Sequence, residues 1–175
     1  EKALIDGELF RFSSERGRVM STYTRSHLNQ FSIDYIDNVM QEPMQKLEID
    51  GYNVLLLHGS IEDPYWGKLT PSKIEDERYQ EYDYVISGHI HQPFKIDVFF
   101  KADNSTMRNQ KRTTFINPGS VGQPRNHNPF AQYVYIDFQT GETHFNTVPY
   151  DIEAEQALFP EEIDKFYSER LKFGI

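Results

Sequence analysis

Two apolar runs end in histidine. Asn53-Val54-Leu55-Leu56-Leu57 leads into His58-Gly59, and Tyr84-Val85-Ile86-Ser87 leads into Gly88-His89, with His91 two residues further on. Neutral imidazole is a common ligand for transition metals. The carboxyl ends of strands in open α/β sheets are where ligand crevices form. On an extended chain, residues two apart face the same side, so a His-x-His pair there would hold one ion. Gly88 before the pair and Pro93 after it favour a loop instead. In a loop the two rings can diverge and serve two neighbouring ions. A metal pair about 3.5–4 Å apart is the usual clamp for phosphoester hydrolysis. A lone histidine is more often a surface or satisfied core residue, and three of them at strand ends bring the two readings level. His27 and His144 lack such a setting and read as exposed. His127 is ambiguous, because it lies close to the motif that begins at Asn117.

These histidines need a scaffold of alternating strands and helices. A helix is expected over 27–45, capped by Ser26, with Leu28, Phe31, Tyr35, Val39 and Met40 at three-to-four spacing and Pro43 to bend or end it. Residues 1–25 are polar and mixed, with a short strand or turn around 9–12. Leu47 to Tyr52 reads as a strand turning at Asp50-Gly51, a strong hairpin signal. The run 53–58 suits a strand buried on both faces. Residues 72–80 read as a short helix capped by Ser72. Phe94 to Phe100 and Thr113 to Ile116 read as strands joined by a polar loop with Asn104 and Asn109. Residues 132–138 and 142–149 form a hairpin around Thr140-Gly141. Two short helices close the chain, the second opening near Pro160. The mixture predicts an α/β or α+β sandwich.

Bulk properties narrow the classes. The chain has 175 residues, the size of one ordinary domain spanning 1–175. Apolar residues at 38%, with 13 Phe and 11 Tyr, can build a core. The longest apolar run is far short of the roughly 20 residues that a membrane span requires. The first residues show no secretory signal. Cysteine is absent, so thiolate sites and disulfides are excluded and any metal must sit on His, Asp, Glu, Asn or backbone oxygen. A cytoplasmic location is expected. The net charge of −9 argues against broad binding to a nucleic-acid backbone. It leaves room for a small phosphate ester, because bound metals supply local positive charge. Association with a second copy stays open.

The segments Leu57-His58-Gly59-Ser60, Ser87-Gly88-His89-Ile90-His91 and Ile116-Asn117-Pro118-Gly119-Ser120-Val121-Gly122-Gln123-Pro124-Arg125 resemble the calcineurin-like metallophosphoesterases. They look most like the small phosphodiesterase branch of bacteria and archaea, over roughly residues 50–150. The resemblance implies an αββα sandwich in which His58 and His89 ligate one ion and His91 the other. It implies two divalent ions, such as Mn, Fe or Zn, and hydrolysis of a phosphomonoester or phosphodiester. The family's opening motifs, Asp-x-His, Gly-Asp and Gly-Asn-His/Cys-Asp, do not occur here, so the fold is expected to be incomplete at its N-terminus. The chain starts at Glu1 without an initiator Met, which suits a fragment, a processed product or the ordered part of something longer. An N-terminal segment carrying two Asp, one His and one Asn would be needed to complete the site. Three neutral imidazoles cannot offset the repulsion between two close dications. The chain alone is therefore expected to bind metal weakly and to be nearly inactive.

Other residues have two readings each. Arg125 could clamp a substrate phosphate with its planar fork, or form a surface ion pair. Tyr65 and Trp66 could stack on an aromatic part of the substrate, or pack their own loop. The loop 117–122 is either a tight support beneath the metals or a plain turn. Asp63 and Asp83 read as solvated or capping. Two further functions compete: a mononuclear zinc hydrolase built on the same three histidines, and a scaffold that keeps the fold without catalysis.

Overall fold

A computed structural model describes residues 2–40 and 42–175. Glu1 and Gln41 lie outside the described residues. So do the first residue of the expected N-terminal boundary and one position of the helix expected through 45.

The chain divides into two compact units. One comprises Pro43–Tyr150 and Leu171–Ile175 and contains every strand found among the described residues. Its core is a five-stranded sheet of β1 (Met44–Ile49), β2 (Tyr52–Leu57), β3 (Tyr84–Ser87), β4 (Phe94–Lys101) and β5 (Gln110–Asn117), in the order β1-β2-β3-β5-β4. The central three strands are parallel and both edges are antiparallel. The expected turn at Asp50-Gly51 joins β1 to β2, with Ile49 opposite Tyr52. A second sheet is the hairpin of β6 (Ala131–Ile136) and β7 (Thr143–Val148).

Two-residue alternation builds two faces. Leu55, Val85 and Phe115 stand side by side in register across β2, β3 and β5, and none is exposed. Leu69, Ile74, Tyr79 and Tyr82 cover that face. Each fully buried side chain of this size contributes about 1.5–3 kcal/mol relative to leaving it in water. On the opposite face Val54, Tyr84 and Ile116 pack against Val134, Ile136 and Phe138 of the hairpin segment. The strands are thus covered on both sides, which is why β2 and β3 read as continuous apolar runs. Asp83 does cap, as expected: its carboxylate accepts from the Asn53 N–H at 2.9 Å and lies 3.8 Å from Lys111 Nζ.

The other unit comprises Glu1–Glu42 and Asp151–Arg170. It holds α1 (Lys2–Ile5), α2 (Glu15–His27), α3 (Gln30–Val39), α4 (Ile152–Ala157) and α5 (Phe166–Glu169). Several expectations are corrected here. The stretch around 9–12 is a single 3₁₀ turn, Leu9–Arg11. A whole helix, α2, occupies ground read as irregular. Its cap is polar rather than apolar in signal: Ser14 accepts from the Gly17 N–H, and Arg18 pairs with Glu15. The helix expected from residue 27 starts at Gln30, because Asn29 accepts from the Ser32 N–H and Leu28 is extended. Ser26 is no cap; its hydroxyl donates to the Tyr23 carbonyl inside α2. In the sheet-bearing unit, the helix expected at 72–80 shrinks to a 3₁₀ segment, Glu77–Glu81, capped by Asp76 instead of Ser72. The last helix begins at Phe166. Near Pro160 only a turn forms, closed by the Ile163 N–H on the Pro160 carbonyl.

Candidate metal centre

The parallel strands β2, β3 and β5 all end at one edge of the sheet, and the candidate residues follow those ends. His58 leaves β2 and His89 follows β3 by one residue past Gly88. The register sets Leu57 opposite Ser87. From there the His58 carbonyl accepts from both the Gly88 and the His89 N–H groups, at 3.0 and 2.8 Å. Ser87 adds its hydroxyl to the same carbonyl, 3.1 Å away, and to that of Gly59 at 2.7 Å. The two histidines therefore cannot move independently.

Their rings meet. His58 Nε2 lies 2.9 Å from His89 Nδ1, with the rings edge to face at a centroid distance of 4.9 Å. The loop after His58 is tightly wound: Gly59 N–H donates to the Pro64 carbonyl, and Ser60 and Gly67 N–H both donate to that of Asp63. Asp63 caps the turn as expected, its carboxylate accepting from the Trp66 N–H at 3.1 Å. This winding brings the half-buried Trp66 ring edge-on to His89, with centroids 6.3 Å apart. Tyr65 is exposed.

His91 turns away by a positive φ of 59°. Its Nδ1 lies 2.8 Å from the Gln123 carbonyl, and its own carbonyl accepts from the Arg125 N–H at 3.2 Å. Gln92 donates to the Arg125 carbonyl at 3.1 Å. The segment 117–125 thus wraps the His91 turn. Arg125 is exposed at the surface, yet the protein around its guanidinium lowers its pKa by desolvation. The His89 pKa is also lowered, first by burial, then by the positive charges of Arg125 and Lys68, with Asp63 opposing them.

The pair of ring nitrogens fits a divalent ion. The 2.9 Å separation is that of one ring N–H donating to the other ring's nitrogen, and both are imidazole nitrogens of the type a divalent ion accepts as ligands. No group of three or more His, Asp or Glu side chains able to hold a metal converges among the described residues. The structure thus brings together His58 and His89, with Trp66 beside them, and places His91 and Arg125 on the adjoining turn. His27 stacks on Tyr23 and is exposed, as is His144 beside Glu142. His127 is exposed and bonded through its N–H to the Gly174 carbonyl.

Three contributors escaped the sequence reading. Ser87 had a signal, a lone hydroxyl at a core-facing position of a buried strand. Gln123 had none, because it acts through its backbone carbonyl. Lys68 emerges only from its charge near His89.

The sequence model of the calcineurin-like phosphoesterase superfamily domain matches residues 27–141, well over half of the chain. The chain belongs to the calcineurin-like phosphoesterase superfamily. Members of this superfamily are phosphoesterases that generally use divalent metal ions. An uncharacterised protein of Methanocaldococcus jannaschii is 24% identical, over 98% of this chain and 71% of its own length. A crystal structure of a metallophosphoesterase from Sphaerobacter thermophilus superposes with a TM-score of 0.73 at 23% identity, over 98% of this chain and 74% of that one. A hypothetical protein from Pyrococcus horikoshii gives a TM-score of 0.70 at 19% identity, over 99% and 70%. The metallophosphoesterase fold is therefore shared, as the sequence motifs implied. No helix among the described residues is long and apolar enough to cross a membrane.

Proposed function

We propose that the chain supplies the histidine half of a two-ion site that hydrolyses a small phosphomonoester or phosphodiester. His58 and His89 hold one divalent ion, Mn, Fe, Zn or similar, and His91 holds the other. The observation that carries this reading is the 2.9 Å approach of His58 Nε2 to His89 Nδ1 at the ends of adjacent parallel strands, in a chain of phosphoesterase family. Such ions act as Lewis acids towards phosphoryl oxygens and lower the pKa of water.

The chain's own side chains bind and orient. Arg125 offers a planar, partly desolvated guanidinium that pairs two-pronged with a phosphate. Trp66 forms an aromatic wall beside His89, against which a flat leaving group can stack. Carboxylates from outside the 175 residues complete the metal shell, since neutral imidazoles leave two dications unshielded.

Titration calorimetry of the chain with Mn²⁺ tests the half-site, and weak binding is expected. Tight binding of two ions per chain would overturn it. The full-length gene product is expected to cleave bis-p-nitrophenyl phosphate with Mn²⁺ and to lose that activity in His89→Ala. No metal-dependent turnover, and no effect of His89→Ala, would favour a non-catalytic scaffold.

A further inference from the structure

The loop that follows β5 meets the ring of one histidine. His91 Nδ1 lies 2.8 Å from the Gln123 carbonyl. A carbonyl oxygen can only accept, so in the neutral ring Nδ1 carries the proton and the lone pair is on Nε2. Ser120 bonds to the same residue. Its Oγ accepts from the Gln123 N–H at 3.0 Å, and its own carbonyl accepts from the Gln132 N–H at the start of β6, also at 3.0 Å.

The loop is braced from both ends. Asn117, fully buried, accepts the Gly119 N–H on its side-chain oxygen at 3.0 Å. Gly119 has φ 89°, and any Cβ there would run into the Gln132 side chain. Gln132 is buried and donates to Asn126 at 2.7 Å. Asn117 Nδ2 and Gln132 Oε1 are both buried without a hydrogen-bond partner.

We propose that Ser120 is a positioning residue for His91: through Gln123 it fixes the Nδ1–H tautomer and so makes Nε2 the nitrogen offered to a divalent metal. The metal part rests on the proposed function, whereas the tautomer does not. Outer-shell partners of this kind orient a ligating imidazole and tune its basicity.

Long-range ¹H–¹⁵N NMR of the metal-free chain reads the tautomer directly. The expected result is an Nδ1–H His91 in the wild type, a mixture of tautomers in Ser120→Ala, and the wild-type form regained in Ser120→Thr, which keeps the hydroxyl. Zn²⁺ affinity at His91, followed by the same ring signals, is expected to fall on the order of 10–100-fold in Ser120→Ala. An Nε2–H wild-type ring would overturn the proposal. So would a tautomer that Ser120→Ala leaves unchanged in a folded variant, or a lost tautomer with unchanged Zn²⁺ affinity. If wild-type His91 signals ignore Zn²⁺ altogether, the metal reading fails and the tautomer result still stands by itself.

Discussion

Ser87 ties itself to His58 from the neighbouring strand. Its hydroxyl reaches the His58 carbonyl at 3.1 Å and the Gly59 carbonyl at 2.7 Å, and it is itself buried. One side chain thus pins the start of the loop that begins at His58. Ser87→Ala removes a buried bond and should cost about 1–2 kcal/mol. Urea unfolding reads that loss. The Mn²⁺ affinity proposed for the assembled site should fall with it, because the His58–Gly59 turn loses one of its anchors while the Gly88 and His89 N–H bonds remain.

Gly59 should resist any side chain. A Cβ there would sit 2.5 Å from the Asp63 carbonyl and 2.9 Å from the Gly67 nitrogen, and both are backbone atoms that cannot swing aside. Gly59→Ala is expected to destabilise by about 1–3 kcal/mol, as overpacking does. The single Trp of the chain lies in the same loop, so its fluorescence should shift in the native baseline.

Phe115→Ala is the test of the core. The ring is fully buried in the centre of the sheet and packs edge to face on Tyr79 at 5.1 Å. The substitution should cost about 3–5 kcal/mol, and thermal unfolding measures it. Phe115→Leu should cost much less.

Asp76 gives a pH dependence with a definite sign. Its hydrogen bonds with Arg78 hold its carboxyl below the ordinary range. A folded pKa below the unfolded one means stability that is complete above the ordinary carboxylate range and is lost as pH falls through the depressed value. Solvent screens this exposed pair, so the effect is small. Asp76→Asn should be slightly less stable than wild type at neutral pH, and the two should converge in acid. Paired denaturation curves across that range check it.

The sheet and its histidines were legible because burial leaves an apolar signature. Val54 to Leu57 and Tyr84 to Ile86 are covered on both faces, so nearly every position is constrained. The Asp50-Gly51 turn and the β6–β7 hairpin carried their own turn residues. The helix Glu15–His27 left no such trace, since only Ser21 is buried in it and its visible local signals are a Ser14 cap and an exposed Arg18–Glu15 pair. The limits of the next helix were misread because Asn29 outcompetes Ser26 as a cap through a geometry that only the folded backbone reveals. At the site, the His58–His89 juxtaposition followed from strand ends. The wrapping of His91 by Gln123 did not, because it is made by main chain.

The parallel pairing of β2 with β3 has a consequence for folding. His58 and His89 are separated by a long crossover, so neither can find the other until that loop has closed, which is slow for parallel sheets. The unfolded chain offers two scattered imidazoles, whereas the finished sheet offers a chelate. On the proposed function, an ion that needs both nitrogens would bind only the native state and raise its stability as its concentration exceeds the dissociation constant. On that reading the histidine pair would latch sheet closure, and metal present during refolding should bias the chain towards the correct strand partners.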